Sequence, residues 1–227
     1  MTSHYYVVDT ETASMKGPIV DFALIEINEN LDIVRVYESL VDPLTRIVPA
    51  AQAVHGITQA MVADAPTMAE LVERDGNPFA SDGPITLIGH NIRFDVRMLQ
   101  QANLLPEKFS QVCTLRTARN MWSDLVEDEE NHKLGTLAVM FCLETGPAHR
   151  AMGDCVTCLS LLRHMAGAFS SFDDLMLAGT RVLSPDTKMT FGKHRGMKLR
   201  DLPSGYIKWV LAQEDMDPDL KAALVAL

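Results

Sequence analysis

The stretch that most constrains this chain is Tyr5-Tyr6-Val7-Val8-Asp9-Thr10-Glu11-Thr12, where β-prone residues run straight into two carboxylates one residue apart. Residues i and i+2 of a strand point to the same face. Asp9 and Glu11 therefore project together from the end of a buried strand. Two carboxylates on one face repel each other unless a cation sits between them. The usual remedy is a hard divalent ion with oxygen ligands, Mg²⁺ or Mn²⁺. Taken alone, Asp-x-Glu is equally a solvated strand end, and it gains meaning only if later residues answer it.

At 227 residues the chain is long enough for one sizeable core and a small second module. A hydrophobic share of 47% with 22% charged residues places it among soluble globular proteins. No apolar run approaches the ~20 residues of a membrane span, so no membrane partner is expected. Met1-Thr2-Ser3-His4 has neither a basic nor an apolar signal region. Cys113, Cys142, Cys155 and Cys158 form no extracellular staple pattern, and the C-x-x-C at 155–158 lies in a helix-like stretch without a second pair. Reduced thiols in a cytoplasmic protein are the expectation. The net charge of −10 excludes whole-surface attraction to a polyanion, which would have to be held by bound metal and local basic patches.

Beyond the first strand, Gly17-Pro18 predicts a turn, and Ile19–Ile27 and Ile33–Val41 predict two further strands in an antiparallel meander. Thr58 and Thr67 are placed to cap short helices over 59–63 and 68–74, with Glu70 at the capping-box position. Ile85–Gly89 reads as a short buried strand, Arg93–Ala102 as an amphipathic helix and Val112–Thr114 as a fifth strand. Helices follow over 115–122, 134–142 and 150–165, with an acidic loop, Asp124–Glu130, between the first two. Strands followed by mixed strands and helices predict an α/β domain with a mixed sheet over 1–166. A linker is predicted over 167–186, with a short helix an option at Phe172–Leu177, and a small basic module over 187–227.

Two stretches answer Asp9 and Glu11. Gly89-His90-Asn91-Ile92-Arg93-Phe94-Asp95 puts Asp95 in the first turn of a helix, just after a buried strand. His149-Arg150-Ala151-Met152-Gly153-Asp154 puts Asp154 early in the long helix and His149 just ahead of it. Singly, each acid is an ordinary helix-start carboxylate. Together, the order Asp-x-Glu, Asn-x-x-Phe-Asp, His-x-x-x-x-Asp resembles the DEDD exonuclease superfamily (DnaQ-like), in the branch with histidine in its third motif. His55-Gly56-Ile57-Thr58 matches a loop that this branch also carries. The matched motifs span the first domain.

The resemblance implies a ribonuclease-H-like fold and 3′→5′ hydrolysis of a nucleic-acid end, releasing nucleoside 5′-monophosphates. It implies that Asp9, Glu11 and Asp154 hold one metal ion, that Asp9 bridges to a second supported by Asp95, and that His149 is the general base. Two Mg²⁺ about 3.5–4 Å apart can clamp the attacking and leaving oxygens of an in-line displacement. An unperturbed histidine, titrating near 6.5, can accept a water proton at neutral pH. Backbone groups of Thr10, Glu11 and Thr12 are candidates to bind the terminal sugar. Met15, Ile57 and Phe94 are candidates to sandwich the last bases, and Asn91 to orient the strand-to-helix turn or a phosphate. His55 and His90 have the simpler reading of structural histidines, although His55 stays among the substrate-binding candidates.

The segment Lys188–Arg200 contains five Lys/Arg and no acid. Phe191-Gly192-Lys193-x-x-Gly196, followed by Tyr206-x-x-Trp209, is similar to the tail of a bacterial DNA exonuclease of the same branch. Lys193, Arg195 and Lys198 are the expected phosphate contacts. DNA 3′ ends, single-stranded or duplex, are the expected substrate, in repair or end trimming. An RNA 3′-end trimmer or a polymerase proofreading subunit shares the same motifs. A silent nucleic-acid-binding adaptor would lack one of the acids, and all of them are present.

Overall fold

The computed structural model describes residues 2–122, 132–180, 183–189, 191–213, 216 and 218–227. The acidic loop Asp124–Glu130 lies outside the described residues. The chain divides into two compact units, Met1–Thr180 and Arg181–Leu227.

The first unit is built on five strands: β1 His4–Thr12, β2 Ile19–Ile27, β3 Ile33–Leu40, β4 Ile85–Gly89 and β5 Ser110–Cys113. Their order across the sheet is β3-β2-β1-β4-β5. The meander β1-β2-β3 is antiparallel, while β4 joins β1, and β5 joins β4, in parallel. This is the expected mixed sheet. Alternation along β1 sends Val7 to one face and Tyr6 and Val8 to the other, so each face seeds its own core.

Helices fill the connections: α1 Pro49–His55, α2 Gln59–Val62, α3 Met68–Asp75, α4 Arg93–Gln101, α5 Thr114–Met121, α6 Leu134–Met140 and α7 Ala151–Ala166. Helix α7 packs on β1 and β2. It buries Ala151, Cys155, Cys158, Leu162 and Met165, the i, i+4, i+7 spacing of one helical face. Full burial of a Leu or Met is worth roughly 1.5–3 kcal/mol, so this seam holds α7 firmly on the sheet. The opposite face takes Leu71 of α3 and Val96, Met98 and Leu99 of α4. Both predicted caps form: Thr58 Oγ1 accepts from the Met61 N–H at 3.3 Å, and Thr67 and Glu70 close a reciprocal box.

Within the span expected to link the two units, the helix offered as an option at Phe172–Leu177 forms. Helix α8, Phe172–Gly179, lies inside it and packs on α5 and β5, burying Leu175 and Met176. Any side chain at Gly179 would strike Val112 Cγ1. The apolar face of α8 therefore belongs to the first core, and the contact boundary falls at Thr180.

The second unit has a 3₁₀ turn at Leu199–Asp201, then α9 Ser204–Ala212 and α10 Pro218–Val225. An isolated antiparallel bridge joins Lys188 to Lys198. Met189, Leu199, Leu202, Tyr206, Val210, Leu220 and Leu224 form its own small core. Among the described residues, no helix is long and apolar enough to cross a membrane.

Candidate active site

The acids converge because the sheet brings the ends of β1 and β4 side by side. Asp9 and Glu11 stand near the end of β1. The parallel β4 ends at Gly89 and leads into α4, whose first turn carries Asp95. Helix α7 crosses β1 and brings Asp154 in its own first turn.

Asp95 is buried and held in place. The Thr10 N–H and the Thr10 hydroxyl both donate to its Oδ1 at 2.9 Å. Glu11, His149 and Asp154 each offer a ligand atom, all within 4.8 Å of one another. Asp9, His149 and Asp154, with His90, Asn91 and Arg119, line a hollow of about 650 Å³.

Each carboxyl in this group is uncomfortable as an anion. Burial pushes Asp9 well above the usual carboxylate range, and Asp95, Asp154, Glu11 and Asp21 add to the shift. Burial first, then Asp154, Asp21 and Asp95, raise Glu11 to about 7, against the opposing pull of Arg150. Asp95 is raised to about 7 by burial although the Thr10 hydrogen bonds act in the other direction. Asp154 is raised by burial, with His149 opposing. Carboxylate oxygens crowded in this way, with one imidazole beside them, fit a hard divalent cation, whose charge would invert the local preference and favour every ionised form.

His149 sits on an exposed turn at φ 56°, a left-handed conformation uncommon for histidine. Its N–H donates to Asp154 Oδ2 at 3.1 Å. The next residue anchors the turn: Arg150 Nε donates to Asp21 Oδ2 at 2.7 Å, and the Ala151 N–H reaches the same oxygen at 3.3 Å. Asp21 lies directly across from Glu11 in the β1–β2 register. Sequence reasoning passed over Asp21. Its signal was a buried-strand acid, one of two in the otherwise apolar IVDFALIEI. The turn also packs closely from behind, since a side chain on Gly153 would collide with the Pro147 carbonyl oxygen.

The remaining candidates divide. Met15 and Asn91 are exposed, and Asn91 adopts φ 67° at the turn into α4, where its carbonyl accepts from the Phe94 N–H. Phe94 is half-buried under the Arg97 guanidinium, 5.5 Å from its ring centroid. Thr10 is engaged with Asp95, as above, and the Thr12 hydroxyl donates to the Ser14 carbonyl at 2.7 Å. Two expectations, for Ile57 and Lys198, are corrected, and His55 takes the structural reading. Ile57 is 0% exposed, inside a cluster with Ala13, Val20, Ile47 and Val62, so it has no face left for a base. His55 has both ring nitrogens committed: Nε2 donates to the Thr12 carbonyl and Nδ1 accepts from the Ile57 N–H, which makes it a brace for the end of β1. Lys198, in the second unit, is paired to Asp186 at 2.7 Å instead of standing free for phosphate, and Arg200 shares that carboxylate. Lys193 and Arg195 form no ion pair among the described residues. His90 is a structural histidine, donating from Nε2 to the His132 carbonyl and accepting from the Thr114 hydroxyl, with its pKa lowered to about 4 by burial.

A ribonuclease-H-like mixed sheet carrying Asp, Glu, Asp and Asp at these strand and helix ends defines a class of nucleic-acid hydrolases. The family model described as Exonuclease matches residues 6–162, and the chain belongs to that family, as a DnaQ-like 3′→5′ exonuclease. It is similar to exodeoxyribonuclease 10 of Escherichia coli (strain K12), with 31% identity over 226 residues covering 96% of each chain. Among solved structures it resembles exonuclease X in complex with 5′ overhanging duplex DNA, at 27% identity and a TM-score of 0.59, over 77% of this chain and 99% of that one. Escherichia coli exonuclease I bound to a dT13 oligonucleotide shares the fold, at 18% identity and a TM-score of 0.62, over 72% of this chain and 41% of that one. A second family model, described as a quorum-sensing-regulated virulence factor, matches residues 183–218.

Proposed function

We propose that this protein is a Mg²⁺-dependent 3′→5′ exodeoxyribonuclease that releases nucleoside 5′-monophosphates from DNA ends, in DNA repair or end trimming. The observation that carries the reading is the meeting of Glu11, His149 and Asp154 within 4.8 Å beside Asp9 and the buried Asp95. Similarity to exodeoxyribonuclease 10 along almost the whole of both chains supports DNA as the substrate. Four free cysteines, three of them buried, support a reducing, cytoplasmic setting.

Asp9, Glu11 and Asp154 are the residues that would hold the cations, with Asp95 supporting them from beneath. When bound, Mg²⁺ supplies positive charge against the scissile phosphate and the departing 3′ oxygen. His149, on its exposed turn, takes the proton of the attacking water as the water oxygen bonds to phosphorus. The bond between phosphorus and the 3′ oxygen breaks, the shortened strand keeps a 3′-hydroxyl protonated from solvent, and the terminal nucleotide leaves as its 5′-monophosphate. Asp21, through Arg150 and Ala151, keeps the His149 turn and the first turn of α7 in register with Glu11.

The test is incubation of the pure protein with end-labelled single-stranded DNA and RNA in Mg²⁺, scored for mononucleotide release, with Asp9→Asn as the control. Release from DNA by the wild type and none by the variant is expected. Release by both proteins sinks the assignment of the acids, and release from RNA alone sinks the DNA reading.

A further inference from the structure

Hydrolysis at the acids leaves one built feature of the second unit without a role. Tyr206 belongs to that unit's core, so its ring is fixed by packing. Trp209, three residues along α9, stacks on it with centroids 5.4 Å apart and planes 24° from parallel. His194 meets Tyr206 edge-on at 4.5 Å, and the Lys193 ammonium lies 5.7 Å from the Tyr206 ring centroid. The turn carrying these two residues approaches Tyr206 only because Gly192, at φ +68°, has no side chain: a Cβ there would come within 2.6 Å of the Tyr206 hydroxyl. A hollow of about 530 Å³ results, lined by Gly192, Lys193, Gly205, Tyr206 and Trp209, with no carboxylate among them.

Trp209 is nevertheless 49% exposed, and Phe191 38%. A rigidly supported indole left open to water, beside the Lys193 ammonium, has the composition of a surface that stacks bases and neutralises phosphates. Charge points the same way. Residues 181–227 hold eight Lys/Arg against six Asp/Glu, a net of +2, so the rest of the chain carries −12 of the total −10. Asp186 pairs with Lys198 and Arg200, whereas Lys193 lines the hollow and Arg195 follows it in the same turn, neither ion-paired among the described residues.

We propose that the Trp209 face is a second DNA-binding site, specific for single strands, which stacks one unpaired base on the indole and seats the neighbouring phosphates on Lys193 and Arg195. The proposal rests on the reading of the protein as a DNA exonuclease. Duplex DNA, whose bases are already stacked on one another, has no free base face to offer the indole, whereas any unpaired base does, so the site selects strandedness and not sequence.

The test is fluorescence anisotropy of a labelled oligothymidylate 15-mer and a blunt duplex of the same length, with the full chain in EDTA so that nothing is cleaved. Trp209→Ala should weaken single-strand binding about fivefold or more, the low end of what one stacked base is worth. Trp209→Phe should retain most of the affinity, and duplex binding should not change. Replacing Lys193 and Arg195 together with Ala should flatten the slope of log K against log salt by about 1.4, at roughly 0.7 per single-strand phosphate. If a thermal melt finds Trp209→Ala unfolded, the exposed double variant carries the test. Unchanged single-strand affinity and slope, or an equal loss on duplex, overturns the proposal and leaves the aromatic face to a protein partner. Mononucleotide release by the wild type in Mg²⁺ is scored separately. Trp209-dependent binding without release sinks only the enzyme reading, and release with Trp209-independent binding sinks only this site.

Discussion

Replacing Glu11 with Gln should make the metal-free protein more stable, by an amount that depends on pH. The Glu11 carboxyl is raised from an ordinary 4.5 to about 7, mainly by burial and then by Asp154, Asp21 and Asp95. A carboxyl raised on folding contributes fully below its unfolded value, and that contribution is lost as pH rises through the folded value. With 1.36 kcal/mol per pH unit between the two values, holding Glu11 in the folded site costs about 1 kcal/mol at pH 5.5, where folding must protonate it, and about 3 kcal/mol at pH 8, where it stays ionised. These are upper figures, because Glu11 is only half-buried and solvent screens part of the repulsion. Gln is nearly the same size and carries no charge, so it escapes the cost. For a chain of this length 1 kcal/mol moves Tm by roughly 2–4 °C. Melting curves in EDTA should therefore place Glu11→Gln up to about 6–12 °C above wild type at pH 8 and only a few degrees above at pH 5.5. Saturating Mg²⁺ should raise the wild type more than the variant and narrow or reverse the gap. A gain that is absent at pH 8, or equal at both pH values, would refute the claim that crowded carboxylates strain this site.

His149→Ala should reduce mononucleotide release by about 10²–10⁴-fold, the usual worth of a general base, while circular dichroism stays native; a normal rate removes His149 from that role. Asp21→Asn keeps an acceptor for Arg150 and Ala151 but loses the charge that Arg150 answers at 2.7 Å, so kcat should fall about tenfold or more while circular dichroism stays native. Gly153→Ala forces a methyl group against the Pro147 carbonyl and should cost about 1–3 kcal/mol, read as a drop in Tm, together with lost activity because the same turn carries His149.

The sheet was legible in the sequence because its signals are local. Strand β1 announces itself by four β-prone residues in a row, and Thr58 and Thr67 carry their capping partners three residues away. Asp95 and Asp154 read singly as ordinary first-turn acids, and only the order of the three acidic motifs along the chain marks them out. The parts that escaped depend on distant residues. Asp21 matters through Arg150, 129 residues later, and through a cross-strand register with Glu11 that no window of sequence contains. Ile57 reads as a candidate to stack a base, yet the turn closed by His55 drives it into the core. Lys198 reads as a free cation until the Lys188–Lys198 bridge brings the two sides of its loop together and Asp186 pairs with it. Helix α8 reads as an option inside a linker because the serines at 170–171 and 184 weaken the pattern around it, and the surface of α5 and β5 beneath Leu175 and Met176 is what gives the helix a place to pack.

The site divides its acids into fixed and adjustable ones, and the division follows from which backbone groups lie nearby. Asp95 receives two hydrogen bonds from Thr10, the residue between Asp9 and Glu11, so its carboxyl is oriented before any ligand arrives. Asp154 receives one, from the His149 N–H, which ties its orientation to the turn that carries the imidazole. That turn is in turn held by Asp21 on the strand beside Glu11. The candidate site thus has Asp95 braced by Thr10 on one side and Asp154 tied to the turn at residues 147–150 on the other. Catalytic geometry here depends less on the acids themselves, which repel one another, than on the apolar seam of Cys155, Cys158, Leu162 and Met165 that presses α7 onto the sheet and keeps Asp154 where repulsion would move it.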